Sequence, residues 1–204
     1  MNFLRNLCLV AGSLLIQTST PADEIFPTTT KVAYQDSKLV ITASVILPVE
    51  PCATFELLTD YDSIPSYMPG VLETHHENIE DGVVKVWQTG EVKLLVFHFK
   101  VNSLLEVHEV RNKAITFKQL DGNLASYSGA WTLSDDIGGT KVLYRAELTF
   151  KHFMPIFLAR VILDDEIKLR FSAIAGEAAR RTSKGQLVCR DRQDNRDSRT
   201  SPNK

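Results

Sequence analysis

The hydrophobic period of this chain changes once, and that change limits the folds open to it. From 71 to 152 apolar residues recur every second position, with turn signals between the runs. After Pro155 the spacing becomes 3.6, with Phe157, Val161, Ile167, Phe171, Ile174 and Ala178 on one stripe. Period 2 is the mark of half-buried strands and period 3.6 of an amphipathic helix. Ahead of the meander, Lys38–Leu47 alternates like a strand. Pro48 and Pro51 end it, and two short helices follow: one from Pro51 to Asp60-Tyr61, and one opened by Ile64-Pro65 and closed by Pro69-Gly70. The order is strand, two short helices, about six antiparallel strands and one long helix. It predicts an α+β fold in which a curved sheet of about seven strands wraps a C-terminal helix.

Turns are expected at Glu80-Asp81-Gly82, at Gly90, at Asn112-Lys113, at Asp121-Gly122-Asn123 and at 135–139. The run 91–111 then reads as one long bent strand or two collinear ones. In the last strand Val142, Tyr144, Ala146, Leu148 and Phe150 share one face, with Lys141, Arg145, Glu147 and Lys151 opposite. One face is therefore buried and the other wet. On the helix, Arg160, Asp165, Lys168, Arg170, Glu177, Arg180 and Arg181 are assigned mainly to the solvent side.

Both ends of the 204 residues read differently from the middle. Residues 1–22 place Arg5 before the apolar run Leu7–Ile16 and then Thr20-Pro21-Ala22, the layout of a cleaved secretory signal peptide. The apolar run is too short to span a bilayer. A periplasmic or secreted destination is expected. Residues 23–37 read as an N-terminal extension, 38–182 as the folded domain and 183–204 as a disordered polar tail. Between the ends, 23–182 holds 16 basic and 22 acidic residues, a formal charge of −6. That balance offers no basic face for nucleic acid. Cys52 and Cys189 remain after the leader; two unpaired thiols are expected, the alternative being a bridge that pins the tail.

A sheet curled around one helix leaves two apolar surfaces facing each other, and a gap between them binds apolar ligands. Alternation puts Leu95, Phe97, Phe99, Trp131, Tyr144 and Leu148 on the concave face. The helix adds Phe157, Val161 and Phe171, and the short-helix segment adds Tyr67 and Met68 as a lid. Tyr127, Tyr144, Gln119 and Ser103 are candidate polar groups. The segments 60–71 and 154–164 are the expected gates. Asp164 falls on the apolar stripe, where desolvation would raise its pKa, or else marks where the stripe meets solvent. His75 and His76 are adjacent on a strand, so they point to opposite faces and do not chelate one ion together. With no nucleophile elbow, phosphate loop or dinucleotide fingerprint, no catalytic residue, metal or cofactor is assigned.

The stretches Leu57-Leu58-Thr59-Asp60-Tyr61, Ile64-Pro65 and Met68-Pro69-Gly70-Val71 resemble the lid of the polyketide cyclase/dehydrase and coenzyme Q-binding branch of the START-like superfamily. So do Leu120-Asp121-Gly122, Gly129-Ala130-Trp131-Thr132-Leu133 and Gly139-Thr140-Lys141-Val142. The resemblance spans about 38–182 and implies a helix-grip fold with an internal hydrophobic pocket. It does not fix a ligand; binding or transport of a lipid, isoprenoid or quinone is expected, and the apolar lid residues Tyr61, Ile64, Tyr67 and Met68 suit transient membrane contact. A cyclase or dehydratase using the same pocket is the alternative. Oligomeric state is not readable from the sequence.

Overall fold

The computed structural model describes residues 27–94, 97–151, 156–187 and 189, and the side chains of all of these except 92–94, 97–99 and 156–162. The leader segment 1–22, and most of the polar tail, lie outside the described residues.

Among the described residues eight strands and three α-helices follow in the order β1 (Thr29–Gln35), β2 (Lys38–Leu47), α1 (Pro51–Thr59), α2 (Ile64–Tyr67), β3 (Val71–Glu80), β4 (Val83–Leu94), β5 (Phe97–Val110), β6 (Ala114–Gly122), β7 (Leu124–Asp136), β8 (Gly139–Phe150) and α3 (Ile156–Ser183). A single 3-10 turn, Tyr61–Ser63, joins α1 to α2. All strands form one antiparallel sheet, ordered β1-β2-β8-β7-β6-β5-β4-β3. Strands β2 and β3 are successive in sequence but stand near opposite ends of the sheet. Residues 48–70 therefore carry the chain across, and α1 and α2 lie on that crossing.

The sheet has eight strands, not about seven. The added strand is β1, inside the segment read as an extension. It is a short edge strand with Val32 as its one buried residue, so it carries little alternation. Asp36 and Ser37 both take positive φ, 47° and 63°, and so form the two-residue turn that suits the twist of a hairpin. Asp-Ser is a weaker signal for that turn than Asn-Gly or Asp-Gly.

The second correction concerns Gly90. It lies inside β4 and not at a turn: β4 runs through it to Leu94 and pairs antiparallel with β5 from Val83↔His108 to Leu94↔Phe97. The run 91–111 is thus the end of one strand and the whole of the next. A side chain at Gly90 would put its Cβ 2.8 Å from the Gly70 carbonyl oxygen. The glycine permits the close approach of a neighbouring backbone, the usual meaning of glycine within a strand.

The other elements match the periodicity. The β2 positions Leu39, Ile41, Ala43, Val45 and Leu47 are buried, as are Val142, Tyr144, Ala146 and Leu148 of β8 beside them. Helix α1 opens on Pro51 at its first position, where a missing N–H costs nothing. It buries Phe55, Leu57 and Leu58. Ile167, Phe171, Ile174, Ala175 and Ala178 form the buried stripe of α3. Together these residues make one contiguous core between sheet and helix.

A third correction concerns the cysteines. Cys52, in the first turn of α1, forms a disulfide with Cys189, with Cα atoms 5.4 Å apart. The bridge ties the segment after α3 to the start of the crossing. Neither thiol is free.

Candidate functional site

A cavity of about 130 Å³ opens between the sheet, α3 and the crossing segment. Leu58, Tyr61, Ile64, Tyr67 and Met68 line it from the crossing, and Val71, Val86 and Gln88 from β3 and β4. Leu105, Val107, Ile115, Phe117, Tyr127, Trp131 and Tyr144 come from the central strands, and Ile167, Arg170 and Phe171 from α3.

Its deep end is aromatic. Trp131 and Tyr144 face each other across the β7–β8 ladder, with ring centroids 4.5 Å apart. Phe171 stacks on Trp131 at 5.5 Å, and Phe117 packs on Tyr127 at 4.9 Å. Gly129 allows the Phe117 ring to lie there. A Cβ at 129 would stand 2.7 Å from the Phe117 Cζ and 2.5 Å from the Arg145 carbonyl oxygen. Tilted and offset contacts of this kind add to the burial of each ring.

The polar atoms are few. The Tyr127 and Tyr144 hydroxyls lie 2.9 Å apart and share a hydrogen bond. Burial pushes both phenols above their ordinary value, Tyr144 well above it. Both hydroxyls therefore stay protonated, and in their shared bond one donates while the other accepts. Tyr61 donates to Glu109 Oε1 at 2.6 Å, and burial with that bond raises its pKa strongly. Tyr67 sits under the Arg181 guanidinium, 5.7 Å from the ring centroid, and burial raises it as well. Arg181 also donates to Asp60 at 2.6 Å and to Glu177 at 2.7 Å, and so fastens α3 to the end of α1.

The residues named from sequence divide into three groups. Tyr67, Met68, Tyr127, Trp131, Tyr144 and Phe171 line the cavity. Leu148 is buried in the core beside Leu39 but is not among the lining residues. Leu95 lies outside the described residues, as do the side chains of Phe97, Phe99, Phe157 and Val161. Ser103 and Gln119 bond to each other at 3.1 Å and do not line the cavity.

Two charged positions on α3 depart from the expected solvent face: Arg170 lines the cavity and Glu177 is buried. Asp164 lies where the stripe meets solvent, the second of the two readings open to it. Lys168 and Thr30 both donate to it and hold its carboxyl below the ordinary value, so it ties α3 to β1 and does not act as a desolvated acid. His75 is exposed against Trp87, and His76 Nδ1 lies 3.0 Å from Asp62. One group of potential metal ligands comes together among the described residues, Glu50, Cys52 and Cys189, and the disulfide occupies both sulfurs.

An antiparallel sheet gripping a C-terminal helix over an aromatic cavity is a helix-grip arrangement. The family model described as "polyketide cyclase / dehydrase and lipid transport" matches residues 47–171, and the chain belongs to that family. Solved structures agree on the fold. The Zhui aromatase/cyclase from a Streptomyces species is 13% identical with a TM-score of 0.63, over 74% of this chain and 99% of that one. A START superfamily protein from Mycobacterium smegmatis is 11% identical with a TM-score of 0.61, over 69% and 97%. A STAR-related lipid transfer protein from Xanthomonas axonopodis is 16% identical with a TM-score of 0.55, over 74% and 98%. Among curated proteins none matches this sequence.

Proposed function

We propose that the protein binds and carries a hydrophobic small molecule in the cavity between sheet and α3, with a ring-sized part of the ligand seated on the aromatic end. The observation that carries this reading is the composition of the lining: aliphatic and aromatic side chains throughout, with Gln88, Arg170 and the tyrosine hydroxyls as its polar groups. Apolar walls with a few placed polar groups are what small-molecule sites are made of. A cavity of about 150 Å³ lined by apolar side chains takes up benzene. The described part, at about 130 Å³, matches one ring. Lipid, isoprenoid and quinone remain the candidate classes.

The rival reading is a cyclase or dehydratase. Acid–base catalysis needs a group that titrates near the working pH within reach of substrate. No histidine, lysine or carboxylate is among the described lining residues, and the buried tyrosines are pushed away from neutral pH. That favours burial over chemistry.

Export to the periplasm or beyond belongs to the same proposal. The leader-like segment 1–22 and the Cys52–Cys189 disulfide support it, since disulfides persist in oxidising compartments. No described helix is long and apolar enough to cross a membrane. Transient contact through the lid, where Tyr67 and Met68 are half-buried, would let the ligand pass.

The test is solvent extraction of protein purified from the envelope fraction of its native host, followed by mass spectrometry. A stoichiometric lipid, isoprenoid or quinone is expected. An empty extract from folded protein that also takes up none of these when they are added would overturn the carrier reading.

A further inference from the structure

We infer that Arg170 sets the specificity of this cavity, selecting ligands whose ring-sized head carries a neutral carbonyl oxygen. The inference rests on the ligand-binding reading above and adds the chemistry of the head group.

Arg170 stands three residues after Ile167 and one before Phe171, on the stripe of α3 that meets the cavity. A guanidinium placed in an apolar wall loses hydration and needs partners. Its ion-pair partner is Glu166, one turn earlier, with Arg170 Nη2 3.6 Å from Glu166 Oε2. That is longer than a hydrogen bond. The Arg170 Nε is buried and has no hydrogen-bond partner among the described residues; the same holds for Glu166 Oε2. So a donor at the cavity wall is left without an acceptor.

The tyrosine pair adds a second donor. Two hydroxyls carry two protons, and one of these makes the Tyr127–Tyr144 bond. The other O–H is left to donate elsewhere. Arg170, Tyr127 and Tyr144 line the same cavity. The cavity thus has two donors that the protein itself leaves free, and an oxygen acceptor on the ligand complements them.

Glu166 decides between a neutral acceptor and an anion. A carboxylate near Arg170 would also lie near the Glu166 charge, and the two interactions oppose each other. A carbonyl accepts the N–H and O–H bonds without adding a second negative charge. Buried donors that find an acceptor only in the right ligand discriminate strongly against an analogue that lacks it.

Calorimetric titration of the purified protein with three probes of similar size tests this: acetophenone, ethylbenzene and benzoate. Acetophenone is expected to bind at least about tenfold more tightly than ethylbenzene, and more tightly than benzoate. Arg170→Met is expected to bring acetophenone and ethylbenzene together. Glu166→Gln is expected to strengthen benzoate, and it decides the matter should Arg170→Met fail to fold. Equal binding of acetophenone and ethylbenzene, benzoate as the tightest probe, or no gain for benzoate in Glu166→Gln would overturn the inference while leaving the pocket reading intact. If folded protein binds none of the three, the pocket reading fails and this inference falls with it.

Discussion

Phe171 is buried on α3 and contacts both Trp131 and Tyr144, at 5.5 and 6.2 Å between ring centroids. Phe171→Ala removes the ring that joins helix to sheet at the aromatic end. It is expected to cost about 3–5 kcal/mol and to enlarge the cavity, read as a lower denaturant midpoint with tighter binding of two-ring ligands. Glu177 behaves differently. The hydrogen bond from Arg180 lowers its carboxyl to about 2, against the opposing effect of burial and with the help of Arg181. Because the folded pKa lies below the unfolded value, this contribution is complete above about 4.5 and is lost as pH falls toward 2. Glu177→Gln should therefore lower the melting temperature at pH 7 and flatten its decline between pH 4.5 and 2. An unchanged acid profile would remove Glu177 from the account. At this scale the aromatic wall was legible, since Trp131, Tyr144 and Phe171 follow strand and helix periods. Arg170 was not, because a charged residue on an amphipathic helix is assigned to solvent unless the opposite wall is known.

The crossing from β2 to β3 is the element that closes the site. It is held near its start and at its middle: Cys52 is bridged to Cys189 beyond α3, and Asp60 receives Arg181 from α3. The bridge closes a loop of 137 residues, and cross-links over long loops restrict the unfolded chain most. Its reduction, or the Cys52→Ser/Cys189→Ser pair, is expected to cost about 2–4 kcal/mol. Arg181→Ala is expected to raise amide exchange over 57–70 more than in β7 and β8. Equal change throughout the chain would mean that Arg181 serves global stability and not the lid. The two short helices and their prolines were readable in sequence. The bridge was open only as the alternative to two free thiols, since a cysteine in a polar tail carries no sign of where the tail runs. Strand β1 escaped for a related reason: an edge strand buries one face only in part, and Val32 alone marks it.

For the whole molecule, the acidic balance of the folded region argues against nucleic acid, and the family assignment puts hydrophobic ligands first. Export is a matter of the intact chain. If it holds, the protein recovered from its host will have a mass that begins at Asp23 and lacks the two hydrogens of the Cys52–Cys189 thiols; a full-length, reduced mass would sink the proposal.

What the sequence determined by itself is the set of elements and which face of each is apolar, because both depend on spacing within a few residues. It also carried the class of fold, since a run of alternating strands ahead of one long stripe leaves few arrangements that bury both. Features that depend on residues distant in the chain emerge only once the chain has folded. Gly90 serves a strand because the Gly70 carbonyl lies against it, and Cys52 finds Cys189. Arg170 belongs to the cavity because α3 packs over strands β7 and β8, whose Tyr127 and Tyr144 line the same space. Local period sets which side of an element is buried; only pairing across the sheet sets what that side meets.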